Sequence, residues 1–393
     1  MKKFIVAIVS SAVLSTTVVA GDIKIGILMG FTGPLESLSP NMAAGAELAM
    51  KEVTDSGGLL GNSKVIPVRG DSTCIDASAG TAVAERVITT DKVKAIVGAM
   101  CSGNTGAILN NVARPNGIVM ISPSATSPGL SLAEDDGLFF RTAPSDARQG
   151  EVLRDILMDR GVKSAAMTYT NNDYGKGLAD SIQANFENAG GKITVVLSHE
   201  DGKGDYSAEV GALAQAGGDV LIVAGYLDQG GKGIIQTALD LGAFETFVLP
   251  DGMIGESLPA AIGDALNGSF GSKAASDSDG AAIFSKLVGS AGIPNEVYVA
   301  ESYDAAALLM LAMQAANSSD SQAIKTKVMT VANAPGEKIM PGELAKGLAI
   351  LAKGGEVDYV GASDVELIGP GESAGRFGEF EVVNKTFKPV KFR

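Results

Sequence analysis

From Asp22 onward the chain repeats one pattern: a short β-branched run, a turn rich in Gly, Ser, Asn and Asp, then an Ala-rich amphipathic segment. That alternation calls for βα units laid on a parallel sheet, and it excludes all-β and all-α architectures. Strands are expected at Ile23–Met29, Val65–Val68, Ala95–Ala99 and Ile118–Ile121, with helices near 41–55, 77–90, 104–113 and 145–160. A second series follows at Ala165–Thr170, Ile193–Leu197, Val220–Ala224 and Phe247–Leu249, with helices near 175–189, 206–216 and 230–242. Two series of this kind predict an α/β protein of two doubly wound parallel-sheet lobes rather than one large sheet. The rest reads mainly helical over 277–291, 302–317, 321–332 and 342–353, and as short strands with Gly-Pro-Gly turns from Val357 to the end. A tail so rich in packing residues must return to both lobes, so the chain crosses between them several times.

Composition narrows the function. With 46% hydrophobic residues the chain can bury a large core, and 31 basic against 45 acidic residues give a net charge of −14. Such a surface repels nucleic acid and anionic lipid. One histidine and two cysteines are too few for a structural zinc site or a two-histidine metal motif, so no metal is expected. Residues 1–20 read as a secretory signal peptide: Lys2 and Lys3, then an apolar run to Val18-Val19-Ala20, with cleavage before Gly21. A membrane anchor is the competing reading, but the apolar run falls short of the roughly 20 residues a spanning helix needs. In an oxidising compartment Cys74 and Cys101 favour a disulfide over a reactive thiol, worth about 3.5 kcal/mol on the chain-entropy model.

Several motifs resolve to ordinary readings. Gly26–Gly33 and Gly225–Gly233 follow strands but lack the G-x-G-x-x-G spacing, and there is no Walker A sequence, so no nucleotide cofactor is implied. His199 lies in a polar run and reads as solvated; with no G-x-S-x-G elbow it does not make a hydrolase.

The strand ends are more informative. Ser102 follows an apolar strand and reads as the N-cap of a helix whose free amides could take a carboxylate. The next strand ends in the hydroxyl-rich Ser122–Pro128. In the second series the strand ends carry Tyr174, Tyr226 and Asp251, that is, aromatic rings and an acid able to hold an ammonium. A zwitterion held between two lobes satisfies both sets.

At these residues the sequence resembles a type I periplasmic binding protein of the leucine/isoleucine/valine-binding family, the receptors of ABC importers for branched-chain and related amino acids. The matching segments run in order over nearly all of the chain after residue 20: Ile23–Gly26 with Thr32-Gly33-Pro34, Gly57–Gly61, the cysteine pair with Ser102, and Ile121–Thr126. Phe140-Arg141-Thr142, Ser145-Asp146, Gln149-Gly150, Tyr174–Gly177 and Gly225-Tyr226 follow. The resemblance implies two lobes joined by three crossovers, placed at 21–142 with 274–355 and at 143–273 with 356–393. It implies that Ser102 and the following amides, beginning at Gly103, take the ligand carboxylate with the Thr126 amide and Tyr226 hydroxyl. The ammonium then meets the Ser124-Ala125-Thr126 turn and Asp251, Tyr174 lines the side-chain pocket, and Cys74 pairs with Cys101. Two departures bear on specificity: Leu38 stands where an aromatic residue is usual, and Asp251 replaces a glutamate. Glu36 either adds an acid to the cleft or lies solvated on its loop. The implied protein is a periplasmic, monomeric receptor with no cofactor, partnered by permease subunits and a small-molecule ligand, and it is not an enzyme. Another small carboxylate, an amide or a cation as ligand, or a sensory role, is the alternative.

Overall fold

The computed structural model describes residues 21–393, so the expected signal peptide lies outside the described residues. Ten strands form two parallel cores. The first holds β1 (Ile23–Met29), β2 (Val65–Asp71), β3 (Ala95–Gly98), β4 (Met120–Ser122) and β5 (Phe139–Pro144). The second holds β6 (Ser164–Thr170), β7 (Lys192–His199), β8 (Val220–Ala224), β9 (Phe247–Leu249) and β10 (Phe270–Ala274). Both are wound alike, in the orders β2-β1-β3-β4-β5 and β7-β6-β8-β9-β10. Strands such as β3 and β8 are buried at every position, as expected where helices cover both faces of a sheet. Neither β5 nor β10 stands out in the sequence, because Phe139–Pro144 carries an arginine and a terminal proline and Phe270–Ala274 is small or polar at every position but the first.

The C-terminal strands complete the sheets. β11 (Glu337–Ile339) pairs with β12 (Val357–Tyr359) beside the first lobe; β13 (Leu367–Ile368) and β14 (Glu372–Ser373) extend the first sheet through β5; and β15 (Phe377–Val383) and β16 (Thr386–Phe392) extend the second through β10. The sequence reading put all of 356–393 in the second lobe. Pairing of β14 with β5 puts the stretch up to Ser373 on the first, and the third crossover falls at 374–376. The other crossovers follow β5 at Pro144-Ser145 and follow β10 at 275–278.

Helix starts are set by local chemistry. Asp76 accepts from the Ser78 and Ala79 amides to begin Ala77–Thr89, and Asn172 accepts from Gly175 N–H to begin Asp173–Asn188. The expected 321–332 helix is split into Ser321–Ile324 and Val328–Ala332. Val299–Ala316 is buried almost all round, and it packs against Ser39–Ser56 so closely that a Cβ on Gly45 would stand 2.5 Å from the Val299 carbonyl oxygen. No helix among the described residues is long and apolar enough to cross a membrane. His199, expected in solvent, is buried: Nδ1 bonds Thr168 Oγ1 at 2.8 Å, and burial lowers its pKa to about 4.

The lobes face each other through the carboxyl ends of their strands and are closed. Asp228 N–H donates to the Pro34 carbonyl at 2.9 Å, and its carboxylate accepts from Ser37 N–H at 2.9 Å and from Ser257 Oγ at 2.8 Å. Thus one residue of the second lobe latches the 31–38 loop of the first. Asp228→Ala removes these carboxylate contacts and should shift the open–closed balance by about 1 kcal/mol, roughly fivefold. Small-angle scattering of the ligand-free variant should then show a larger radius of gyration than wild type; an unchanged radius would assign closure to other contacts.

Candidate functional site

Between the lobes lies a cavity of about 320 Å³ walled by Leu35, Leu38, Met100, Cys101, Ser102, Ser124, Tyr174, Tyr226, Asp251, Gly252 and Tyr298. Its first-lobe wall comes from the ends of β3 and β4. The disulfide between Cys74 and Cys101, with Cα atoms 5.2 Å apart, ties the loop after β2 to the residue that opens the Ser102–Ile108 helix. Cys101 holds the N-cap position, so Ser102 is the first helical residue rather than the cap. Ser102 Oγ accepts the Ser127 N–H at 3.1 Å, so its own proton remains free to donate into the cavity. Ser124 Oγ donates to the Met100 carbonyl at 2.8 Å, joining the two strand ends.

Arg141 fixes the loop after β4. It is 1% exposed; Nη1 donates to the Ala125 and Ser127 carbonyls at 2.9 Å each, and Nη2 to Ser131 Oγ at 2.7 Å and the Glu372 carboxylate at 2.5 Å. A buried guanidinium with four acceptors holds its loop rigidly.

The second-lobe wall is aromatic and acidic. Tyr174 and Tyr226 stack with ring centroids 5.1 Å apart and planes within 5°. Tyr174 OH donates to Asp251 Oδ1 at 3.0 Å and accepts the Gly252 N–H at 3.1 Å, while Tyr298 OH donates to Asp251 Oδ2. Gly252 is required here: a Cβ would stand 2.6 Å from both the Gly225 carbonyl oxygen and the Tyr174 hydroxyl. Burial raises the Asp251 pKa above the ordinary aspartate range, against the lowering effect of the two tyrosine bonds. Burial and the Asp251 charge hold both phenols well above their ordinary range, so both remain O–H donors.

Asp146, at the first crossover, is the second acid. Neither of its carboxyl oxygens has a hydrogen-bond partner among the described residues, and Thr126 Oγ1 beside it is also unpaired. Burial first, and the Asp251 charge second, push its pKa well up; Thr126 and Arg141 pull the other way. Burial and mutual repulsion thus shift both acids in the same direction, toward the protonated form.

Of the residues expected from the sequence, Leu38, Ser102, Ser124, Tyr174, Tyr226 and Asp251 converge on the cavity. Ala125 and Thr126, which follow Ser124 in the chain, are buried and do not line it. Gly103 lies outside it, on a wider opening between the lobes where its Cα faces Asp173. Glu36 does not reach the cavity: the turn that directs Leu35 and Leu38 inward leaves its side chain exposed to water, where a carboxylate is best solvated. Sequence reasoning missed Tyr298 and gave Asp146 no role. Tyr298 has no local signal, since it enters the cavity from a left-handed turn (φ 64°) far along the chain. Asp146 stood within a matched segment, and a buried acid at a crossover was the available clue.

The arrangement presents opposite polarity at opposite ends, with hydroxyl donors on one lobe and an acid with aromatic rings on the other. Comparison with known proteins identifies the family and the fold. The profile of the family described as periplasmic binding protein matches residues 22–343. Leu/Ile/Val-binding protein homolog 1 of Brucella melitensis is 33% identical over 310 residues, covering 77% of this chain and 81% of that protein. The leucine-, isoleucine-, valine-, threonine- and alanine-binding protein of Pseudomonas aeruginosa is 29% identical over 269 residues, covering 68% and 70%. The fold is shared with the leucine-binding protein LivK of Thermotoga maritima (TM-score 0.79, 21% identity, 94% of this chain and 98% of that one). It is shared too with an R. palustris solute-binding protein in complex with 4-hydroxybenzoate (TM-score 0.77, 16% identity, 95% and 97%). With its two-lobed α/β architecture, this chain belongs to the periplasmic binding protein family, on the side of the Leu/Ile/Val-binding proteins.

Proposed function

We propose that this protein captures an aliphatic amino acid as its zwitterion and delivers it, as a monomer, to the permease subunits of an ABC importer. Residues 1–20 direct export to the periplasm in this reading. The observation that carries it is Asp251, held by two tyrosyl hydroxyls across a small cavity from the free hydroxyl of Ser102. The ligand carboxylate meets Ser102 and the amides of its helix, and the ammonium meets Asp251, Asp146 and Thr126. Leu35, Leu38 and Met100 leave an apolar wall for the side chain. A benzoate, as bound by some proteins of this fold, would satisfy the Ser102 end but leave two buried acids without a cation. Binding in the cleft draws the lobes onto the Asp228 latch, and the permease reads the closed form.

L-Leucine at a hundred times its dissociation constant should add about 2.7 kcal/mol of stability to ligand-stripped protein, while 4-methylpentanoate, which lacks the amine, should add almost none. Thermal-shift assays test this; stabilisation by the deaminated acid would overturn the zwitterion assignment. Asp251→Asn should weaken leucine binding by about 1.5–3 kcal/mol, roughly ten- to hundredfold, with the melting temperature of the free protein retained.

The acid pair makes binding pH-dependent. Its pKa is raised in the free protein, so an arriving ammonium expels a proton, and leucine affinity should rise with pH until the free protein's pair is ionised, by at most about tenfold per pH unit. Calorimetry in buffers of different ionisation enthalpy should detect this proton, and Asp146→Asn should remove it. A proton count of zero in the wild type would refute the shared proton.

A further inference from the structure

A second cavity, of about 490 Å³, lies at the hinge, beyond the Tyr298 ring that also walls the first. It is built from both lobes. Lys273 and Ser276 come from β10 and the second crossover; Glu296, Ala300 and Glu301 come from the start of the Val299–Ala316 helix on the first lobe. Three observations there concern charge. Lys273 forms no ion pair or hydrogen bond among the described residues, although Glu296, Glu301 and Glu256 influence it at longer range, and desolvation lowers its pKa. The amide of Ala300 in the first turn of this long helix has no main-chain acceptor, while the Glu301 N–H faces its own carboxyl. Glu301 has its pKa raised to about 8 by burial, so at neutral pH it is mostly a neutral donor.

We propose that this hinge cavity is a second binding site, for a small aliphatic monocarboxylate whose carboxylate pairs with Lys273 and the open Ala300 amide at the start of the Val299–Ala316 helix. An ammonium and a helix amino end together favour an anion. Glu296, already accepting from Asn41 Nδ2 at 2.9 Å, puts a second negative charge nearby, which disfavours dianions such as phosphate. The cavity exceeds the needs of a single halide ion, and Phe284 with Ala281 gives an apolar wall for a short tail. Because its donors come from both lobes, the occupant bridges the hinge: it binds the closed state better and raises the affinity of the cleft ligand by the factor that the cleft ligand raises its own.

Sodium propionate is titrated calorimetrically into wild type, Lys273→Met, Lys273→Gln and a Ser102→Ala/Asp251→Asn double variant whose cleft is disabled. Propionate should bind wild type and the cleft-disabled protein alike and lose roughly tenfold or more affinity in both lysine variants. These should melt no lower than wild type, since each removes a desolvated, unpaired cation. Crystals soaked in 3-bromopropionate should place bromine in the hinge cavity, which tests the site even if the lysine variants fail to fold. Absence of binding, equal binding by the lysine variants, loss of binding in the cleft-disabled protein, or bromine elsewhere would each overturn the site. Displacement by equimolar chloride would overturn the carboxylate class. Leucine titrated separately into the same proteins reports on the cleft, so propionate binding without leucine binding would refute only the amino-acid reading.

Discussion

A carboxylate taken out of water is tolerable only when donors answer its charge, and here that requirement joins the two lobes. Asp251 and Tyr174 stand on the second lobe, whereas Tyr298 leads into the helix packed within the first. The same acid therefore shapes the ligand cavity and lies at the seam about which the lobes move. Asp146, also buried, begins the helix that follows the first crossover, so a second costly group sits close to where the chain passes between lobes.

The paired windings of the sheets explain how distant segments reach one cavity. In each lobe the strand order reverses beside the strand whose end reaches the cavity: β3 leads to Ser102 and β8 to Tyr226. Loops leaving these ends need rigid anchors, since an ångström of drift would separate the charges from their partners. The Cys74–Cys101 bridge anchors one loop, and Arg141, donating to two carbonyls, a hydroxyl and Glu372, anchors the next.

Much of this was readable in the chain because burial on both faces leaves a simple mark. Val220–Ala224 and Ile23–Met29 are apolar runs that a solvated segment would not keep, and the helices after β2 and β6 begin at the recognisable caps Asp76 and Asn172. β5 and β10 were obscured because Arg141 holds the loop after β4 and Lys273 lines a cavity, so neither strand reads as an apolar run. His199 was misread for the same reason in reverse: a polar run suggested solvent, while Thr168 gives the ring a buried partner. Ser102, Tyr174, Tyr226 and Asp251 were legible as chemistry at strand ends. Tyr298 was not, since nothing adjacent in sequence records that a crossover brings it back to Asp251. The misplacement of Leu367–Ser373 has a similar origin, because strands of two residues carry no periodicity.

The last two strands give the fold a particular order of assembly. β15 pairs antiparallel with β10 and β16 covers β15, so the edge of the second sheet stays unpaired until the final residues are available. An incomplete chain therefore exposes the backbone of β10, a template for association with another chain. Neither lobe is contiguous, and synthesis of the first half of the molecule does not finish either one. The last two strands thus move the edge of the second sheet outward, from the buried β10 to the largely exposed, lysine-bearing β16, whose charges discourage pairing with another chain.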